Sequence, residues 1–283
     1  MAQLQIMLHS ILHLSLWLAI LVVIFVPLEH FFAVHPHKML RKGLSADLCY
    51  YFLSSLLPAA LLSVPVSVLA WCVRHIMPGS VLAMTASLSF GLRGLAALLA
   101  GEVGYYWGHR WSHEIPFLWR FHAIHHSAEA MDFLVHTRAH PLDMVFGRYC
   151  ALVPIYVLGL AGPTTAFGGS VLLVLVTLIG TLWGFFVHAN LRWRFGPLEW
   201  LVSTPKFHHW HHTKDGLINH NYASVFPWLD RLFATHNLPK EWPKAYGIEG
   251  SMPPTLIGQL TYPLLPTDVI VAEQSAEAAL ASD

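Results

Sequence analysis

Histidines at helical spacing are the residues of this chain best suited to chemistry. Twenty of its 283 residues are histidine, and most lie in one part of the chain. Three motifs stand out: His-Arg-Trp-Ser-His at 109–113, His-Ala-Ile-His-His at 122–126 and His-His-Trp-His-His at 208–212. Side chains three or four positions apart share one face of an α-helix, so each motif can aim two or three imidazoles at a common point. The spacing predicts a metal site assembled from several helices.

An isolated histidine, His188, follows a long apolar segment and completes the candidate ligand set. The nine candidates are His109, His113, His122, His125, His126, His188, His208, His211 and His212. Nine imidazoles exceed what one ion can hold, which predicts two metal ions. Neutral imidazole suits iron, zinc, copper and nickel. Iron is favoured for redox chemistry, because oxidation of an unactivated C–H bond needs a metal that changes valence.

The other histidines are expected to have different roles. His136 and His140 are four residues apart, but Pro141 prevents a helix from continuing through them. They are therefore expected beside the metals or towards the substrate, with His140 a candidate catalytic residue. His209 points off the face of its neighbours and is expected to be structural. Interfacial or loop positions are expected for His9, His13, His30, His35, His37 and His75.

The composition indicates a membrane protein and excludes several other classes. Hydrophobic residues make up 55% of the chain and charged residues 11%, which is unusual for a soluble domain. Lys and Arg together number 16, as do Asp and Glu, so no charge excess indicates nucleic-acid binding. Cys49, Cys72 and Cys150 are scattered, without a CxxC motif. They predict neither a disulfide framework nor a zinc site.

Five apolar stretches approach the roughly 20 residues that a membrane span requires. They cover residues 11–32, 48–73, 81–106, 142–161 and 167–191. The fourth stretch contains Asp143 and Arg148 and is the weakest of the five. A turn at Gly162-Pro163 joins it to the fifth, so this pair can equally form a re-entrant hairpin. The fold class predicted is an all-α, multi-pass transmembrane bundle with a histidine-rich di-metal cap.

Loop charges predict the orientation of this bundle and its layout. Lys and Arg concentrate after the first, third and fifth stretches, which places the amino terminus outside and every histidine motif on the cytoplasmic face. The chain is expected to form a single integral membrane domain. Its predicted parts are transmembrane helices at 1–106, a cytoplasmic metal cap at 107–141 and 188–247, a helical hairpin at 142–191 and a flexible polar tail at 248–283.

Beyond the spacing of the histidines, the amino-acid sequence in and around the motifs resembles that of the fatty acid hydroxylase / sterol desaturase superfamily of membrane di-iron oxidases. The similar segments are Tyr105-Tyr-Trp-Gly-His109-Arg, His122-Ala-Ile-His-His126-Ser, Thr204-Pro-Lys-Phe-His208, Asn221-Tyr222 and Leu229-Asp-Arg-Leu-Phe233. The match runs from about Leu98 to His236. The resemblance implies a helical bundle with a cytoplasmic di-iron cap, and it implies the same nine histidines as iron ligands.

The resemblance leaves the ligands around His188 open. Some members carry a second histidine four residues after the isolated one, whereas this chain has Arg192 there. Asn190 is a candidate catalytic residue that could hold a metal-bound water instead. The acids expected to orient the distal imidazole N–H groups are Glu102, Glu114, Glu129, Asp132 and Asp230.

The activity implied is O₂-dependent hydroxylation of a C–H bond in a membrane lipid or lipid-like substrate. Desaturation on the same residues is the main alternative, and hydroxylation is favoured because one imidazole fewer near His188 leaves a more open position for oxygen. A metal transporter would bury its ligands near the bilayer midplane. The chain has no Gly-rich dinucleotide motif and no His-Pro-Gly-Gly haem motif. An external ferredoxin or small haem protein with its reductase is therefore expected; the substrate and the oligomeric state stay open.

Overall fold

The computed structural model describes residues 2–36, 38, 40–161, 168–214 and 219–265. These residues form α-helices, short 3₁₀ helices and loops, and their one isolated β-bridge joins Thr213 to Tyr246. The prediction of an all-α fold is confirmed. The expected turn at 162–163 and the second half of the expected polar tail, residues 266–283, lie outside the described residues.

The helices vary widely in length. In chain order they are α1 (Ala2–Phe32), α2 (Leu44–Ile76), α3 (Gly79–Ser87), α4 (Phe90–Glu114), α5 (Pro116–His126), α6 (Pro141–Val157), α7 (Gly168–His188), α8 (Pro205–His211), α9 (Trp228–Leu232) and α10 (Leu256–Thr261). Short 3₁₀ helices lie at Phe133–Thr137, Gly196–Trp200 and Tyr262–Leu264.

Within the described residues, α1, α2 and α7 are long and apolar enough to cross a membrane. The spans are Leu4–Phe32, Leu44–Ile76 and Val171–His188, and α3 with α4 adds a fourth if this bent pair is one span. Large apolar side chains on these helices face outward, as Val23, Val64 and Val174 do with 73%, 69% and 64% exposure. Contiguous exposed apolar surface of this kind suits lipid and not water. The protein is an integral membrane protein.

Two of the five predicted stretches differ from the helices observed. The stretch at 81–106 is not one helix, since α3 and α4 meet at 117° around Leu88 and Ser89. Leu88 is extended, and the Ser89 hydroxyl accepts the Leu92 N–H at 3.4 Å, so it caps a new helix. Hydropathy misses such a break, because capping changes the backbone and leaves the apolar character intact. The stretch at 142–161 becomes α6, whose 17 residues fall short of a full span.

Close packing of α4 against α6 positions one side of the histidine cap. A Cβ on Gly108 would lie 2.7 Å from the Cβ of Cys150, and a Cβ on Gly104 would overlap the Cys150 carbonyl. The two helices therefore contact each other backbone to backbone at these glycines. They run antiparallel, so the end of α4 meets the start of α6, where Ser112 and Asp143 come together.

The cap is fastened to the ends of the long helices by buried polar contacts. Glu29, near the end of α1, accepts the backbone N–H groups of Phe133 and Asn190 at 2.8 and 3.0 Å. Asp47, at the start of α2, pairs with Arg138 at 2.6 Å. The end of α1, the start of α2 and the end of α7 therefore meet the histidine segments at one end of the bundle.

Candidate metal centre

Five histidines from three helices form the first group of candidate ligands. His109 and His113 come from α4, His122 and His126 from α5, and His211 from α8. One nitrogen from each lies within 4.8 Å of the others, and all five side chains are buried. The Nε2 atom of His122 is 3.1 Å from that of His109 and 3.2 Å from that of His126. We call this the five-histidine group.

Four further histidines form a second, adjoining group. His125 comes from α5, His188 from α7, His208 from α8, and His212 caps the end of α8. The Nε2 atom of His208 lies 2.9 Å from that of His188 and 3.1 Å from that of His212, and His125 and His188 approach to 3.2 Å. We call this the four-histidine group. The two groups together contain all nine of the sequence-predicted ligands.

Helical spacing explains how two motifs supply both groups. On α5, His122 and His126 are one turn apart and face the five-histidine group, whereas His125 is rotated into the other. Around α8, His211 belongs to the five-histidine group, whereas the adjacent His212 belongs to the four-histidine group. The rings of His126 and His212 stack at 4.3 Å and 19° where the groups meet. The geometry therefore suits two ions side by side.

Backbone carbonyls fix the orientation of four of these imidazoles. The Nδ1 atoms of His109, His125, His188 and His211 contact the carbonyl oxygens of Tyr222, Arg138, Gly184 and His220 at 2.7, 3.0, 2.7 and 2.8 Å. A carbonyl only accepts a hydrogen bond, so each Nδ1 carries the proton and donates it. The Nε2 lone pair of each ring is then free for a metal ion, as is usual for ligating histidines.

A carboxylate performs the same task for His122. The Nδ1 atom of His122 lies 2.9 Å from Asp143 Oδ2, and Asp143 Oδ1 accepts the Ser112 hydroxyl at 3.4 Å. Asp143 was not among the acids expected here, since the sequence places it at the start of an apolar stretch. The only feature of the sequence that could have indicated this role for Asp143 is its position three residues after His140, where the chain leaves the cap.

The five acids expected to orient imidazoles have other partners or no such contact, so that prediction is wrong for the described part of the chain. Glu102 accepts the Val225 N–H at 2.8 Å. Asp230 accepts the N–H groups of Tyr222 and Ala223 at 2.7 and 2.9 Å. The others bind elsewhere: Asp132 pairs with Arg41 and Glu114 with Arg110. Among the described residues, Glu129 bonds to none of the nine imidazoles. These acids shape the loops that carry the ligands.

The donor set fits metal ions. Both ring nitrogens of His113 and the Nε2 of His211 are buried without a hydrogen-bond partner in the described structure. An unpaired buried polar atom of this kind costs about 1–3 kcal/mol. Burial, followed by neighbouring imidazoles, holds the pKa values of His126, His208 and His212 well below 6.5. Neutral rings with convergent lone pairs suit iron, zinc, copper or nickel.

The two candidate catalytic residues lie outside both groups. His140 accepts the Leu142 N–H at 3.1 Å as the cap of α6, and its Nε2 contacts the Leu260 carbonyl at 3.2 Å. The Asn190 amide bridges the backbone of residues 34 and 35, accepting the Val34 N–H at 2.9 Å. The structure thus gives both side chains bonds that hold the cap to neighbouring segments.

Two other histidines border the four-histidine group. The ring of His136 lies 5.2 Å from that of His188 and lines a cavity between the long helices. Burial, and then the charge of Arg148, lower the pKa of His136 to about 4. The His209 ring contacts the Tyr246 hydroxyl at 2.8 Å and the Ala189 carbonyl at 3.1 Å, which fits a structural role.

Comparison with known families decides the classification. The sequence model of the family described as fatty acid hydroxylase matches residues 94–235, half of the chain. The chain belongs to the fatty acid hydroxylase family. The matched segment of this fatty acid hydroxylase family member contains both histidine groups entire.

Several known proteins are similar to this chain over part of its length. Ornithine lipid hydroxylase OlsE of Rhizobium tropici is 34% identical over 200 residues, covering 65% of this chain and 57% of that protein. Alkylglycerol monooxygenase of Xenopus tropicalis is 30% identical over 151 residues, covering 53% of this chain and 31% of that protein. Very-long-chain aldehyde decarbonylase GL1-5 of Oryza sativa subsp. indica is 30% identical over 155 residues, covering 50% of this chain and 23% of that protein.

The similarity is partial along the relatives. The chain spans a little over half of the ornithine lipid hydroxylase and under a third of the other two. No solved structure matches this chain.

Proposed function

We propose that this chain is an O₂-dependent di-iron hydroxylase acting on a C–H bond of a membrane lipid or lipid-like molecule. The observation that carries the proposal is the pair of adjoining histidine groups, buried at the end of apolar helices. The nine histidines of these groups would hold two iron ions. Iron bound there would supply the activation of O₂ and the oxidation of the C–H bond.

The residues of the chain would position the ions and exclude water. Carbonyl groups and Asp143 hold the Nδ1 atoms, so the Nε2 atoms stay convergent without rearrangement. Such outer partners commonly change metal affinity or activity by about 10–100-fold when removed. All nine imidazoles are buried, which keeps bulk water from the reacting atoms.

A cavity beside the four-histidine group supports a lipid-like substrate. It has a volume of about 200 Å³ and lies between α1, α2, α6 and α7, with His136 among its lining residues. Its lining is mostly apolar, including Leu14, Leu182 and Phe185. A hydrocarbon chain could enter it from the membrane without crossing water. Two relatives, an ornithine lipid hydroxylase and an alkylglycerol monooxygenase, have names that agree with such a substrate.

The metal cap is proposed to face the cytoplasm. Loop charges support this orientation, because Arg192, Arg194 and Lys214 lie on the same end of the bundle as the histidine groups. Each turnover needs two electrons from outside the chain. We propose that a ferredoxin or a small haem protein, with its reductase, supplies them at this face.

Hydroxylation is proposed over desaturation, which the same ligands could also support. The relatives named as a hydroxylase and as monooxygenases favour oxygen insertion. Metal transport is disfavoured, because the ligands lie at the ends of the long helices and transport sites lie near the bilayer midplane.

The experiment that tests this function is oxygen labelling of lipids. Membranes containing the protein, a ferredoxin and its reductase are incubated under ¹⁸O₂, and the lipids are compared by mass spectrometry with those of a His113→Ala control. We expect a lipid that gains one ¹⁸O atom only with the unaltered protein. A lipid that only loses two hydrogens would show desaturation. Equal lipid profiles with both proteins would contradict the proposed function.

A further inference from the structure

The cavity beside His136 contains a single guanidinium in walls that are mostly apolar. Arg148 of α6 lines it, together with side chains of α1 and α7 such as Trp17 and Leu178. The helix that carries Arg148 packs between α2 and α4, inside the bundle of long apolar helices. Charged residues in such a setting are costly and usually serve a substrate or ion.

Arg148 has no counter-ion among the described residues. It makes no ion pair or hydrogen bond there, and its electrostatic neighbours are the Tyr105 phenol and His136. The nearest acid along α6, Asp143, is already bound to His122 and Ser112. A guanidinium facing an apolar cavity without a partner is stabilised when a ligand supplies the negative charge.

A second unpaired donor faces the same cavity. Thr181 on α7 lines it, and its hydroxyl makes no hydrogen bond with any described residue. The serine hydroxyls of the cavity differ, since Ser54 donates to the Thr137 carbonyl at 2.9 Å and Ser55 to the Tyr51 carbonyl at 2.7 Å. A guanidinium and a free hydroxyl that line one cavity from two helices are suitable donors to one oxyanion.

The distance from Arg148 to the metal groups limits where the substrate would react. Arg148 follows Asp143 by five residues of α6, a rise of about 7.5 Å, and Asp143 holds a ligand of the five-histidine group. His136 lines the same cavity, and its ring lies 5.2 Å from that of His188, in the four-histidine group. A group bound at Arg148 therefore lies near His136, whose ring contacts a member of the four-histidine group.

We propose that Arg148 and Thr181 bind the oxyanion of the lipid substrate, a carboxylate or a phosphate, and so place a C–H bond near that group at the metal centre. The inference rests on the proposed function, since it names the substrate class of the same site. The cavity of about 200 Å³ is smaller than the ~300–1,000 Å³ of typical ligand pockets. It therefore holds the oxyanion-bearing end of a lipid and not the whole molecule.

Direct binding tests this inference without relying on turnover. The iron-loaded full chain in detergent is titrated with four probes of one chain length: palmitic acid, palmitoyl lysophosphatidic acid, methyl palmitate and palmityl alcohol. We expect one oxyanion probe to bind about tenfold to a hundredfold more tightly than the neutral probes. The probe that binds more tightly distinguishes a carboxylate substrate from a phosphate.

Three substitutions assign that preference to the cavity. Arg148→Gln is expected to abolish it, Arg148→Lys to retain most of it, and Thr181→Val to weaken oxyanion binding several-fold. Arg74→Gln is the matched control, because Arg74 is an exposed arginine near the end of α2. Iron content and the melting temperature of each variant verify folding. If Arg148→Gln does not fold, the oxyanion preference is still tested by binding of the four probes to the unaltered chain and to Arg148→Lys.

Two results would overturn the inference. One is equal binding of oxyanion and neutral probes by the unaltered chain, and the other is an oxyanion preference that survives in Arg148→Gln. Either result leaves the proposed hydroxylase standing if a lipid still gains ¹⁸O. Conversely, Arg148-dependent binding without any oxygen insertion would contradict the proposed function alone.

Discussion

Replacing His211 by alanine is expected to reduce turnover by more than about a thousandfold, equivalent to at least ~4 kcal/mol of transition-state stabilisation. Its Nδ1 is fixed by the His220 carbonyl, while its buried Nε2 has no partner in the described structure and points into the five-histidine group. Alanine removes this lone pair and leaves a gap that no neighbouring side chain can fill with a nitrogen. Product formation per chain, measured under saturating reductant, checks the result.

The matched control is His75→Ala. His75 is exposed at the end of α2, and among the described residues its ring contacts only the carbonyl and the indole of Trp71, on its own helix. We expect its activity to stay within about twofold, as for surface substitutions worth ~0.5 kcal/mol or less. Near-normal turnover by His211→Ala would remove His211 from the ligand set.

Replacing Gly184 by alanine is expected to damage the four-histidine group from a distance. A Cβ at Gly184 would overlap the imidazole of His136, and the Gly184 carbonyl holds the Nδ1 of His188 at 2.7 Å. The methyl group must therefore displace His136 or shift α7, and either change misaligns His188. We expect a destabilisation of about 1–3 kcal/mol from overpacking and an activity loss of about 10–100-fold.

Gly180→Ala, one turn earlier on α7, is the matched control for that substitution. A Cβ there would meet nothing within 4 Å among the described atoms. We expect unchanged activity and equal or slightly greater stability, because alanine favours a helix over glycine by up to ~1 kcal/mol. Thermal unfolding and iron content of both variants measure the difference. Similar behaviour of the two alanine variants would mean that the contact with His136 does not matter.

The ligand candidates could be found from the sequence because helical spacing is local information. The positions of His122, His125 and His126 on one helix follow from their numbers alone, and the structure brings all three to the metal groups. Their division between the two groups was not predictable. It depends on how α5 is rotated against α4, α7 and α8, which only tertiary packing determines.

The partners of the ligands could not be predicted because they come from remote segments. Carbonyl groups hold His109 and His125, and every residue has a carbonyl, so no residue type identifies them. Asp143 is a residue type that could have been noticed, but its approach to His122 depends on the glycine contacts between α4 and α6. The break at Leu88 was missed for a different reason, since it changes the local backbone and leaves the hydropathy of the segment unchanged.

Metal content is the most direct measurement of the central claim, that the nine buried histidines hold two iron ions. The full chain, produced with ample iron, is purified and its metals are measured per chain by elemental analysis, beside His211→Ala and His188→Ala. We expect about two iron atoms in the unaltered chain and fewer in each variant. His211→Ala removes one ligand from the five-histidine group, and His188→Ala removes one from the four-histidine group. One iron atom or none in the unaltered chain, or two in both variants, would contradict the claim.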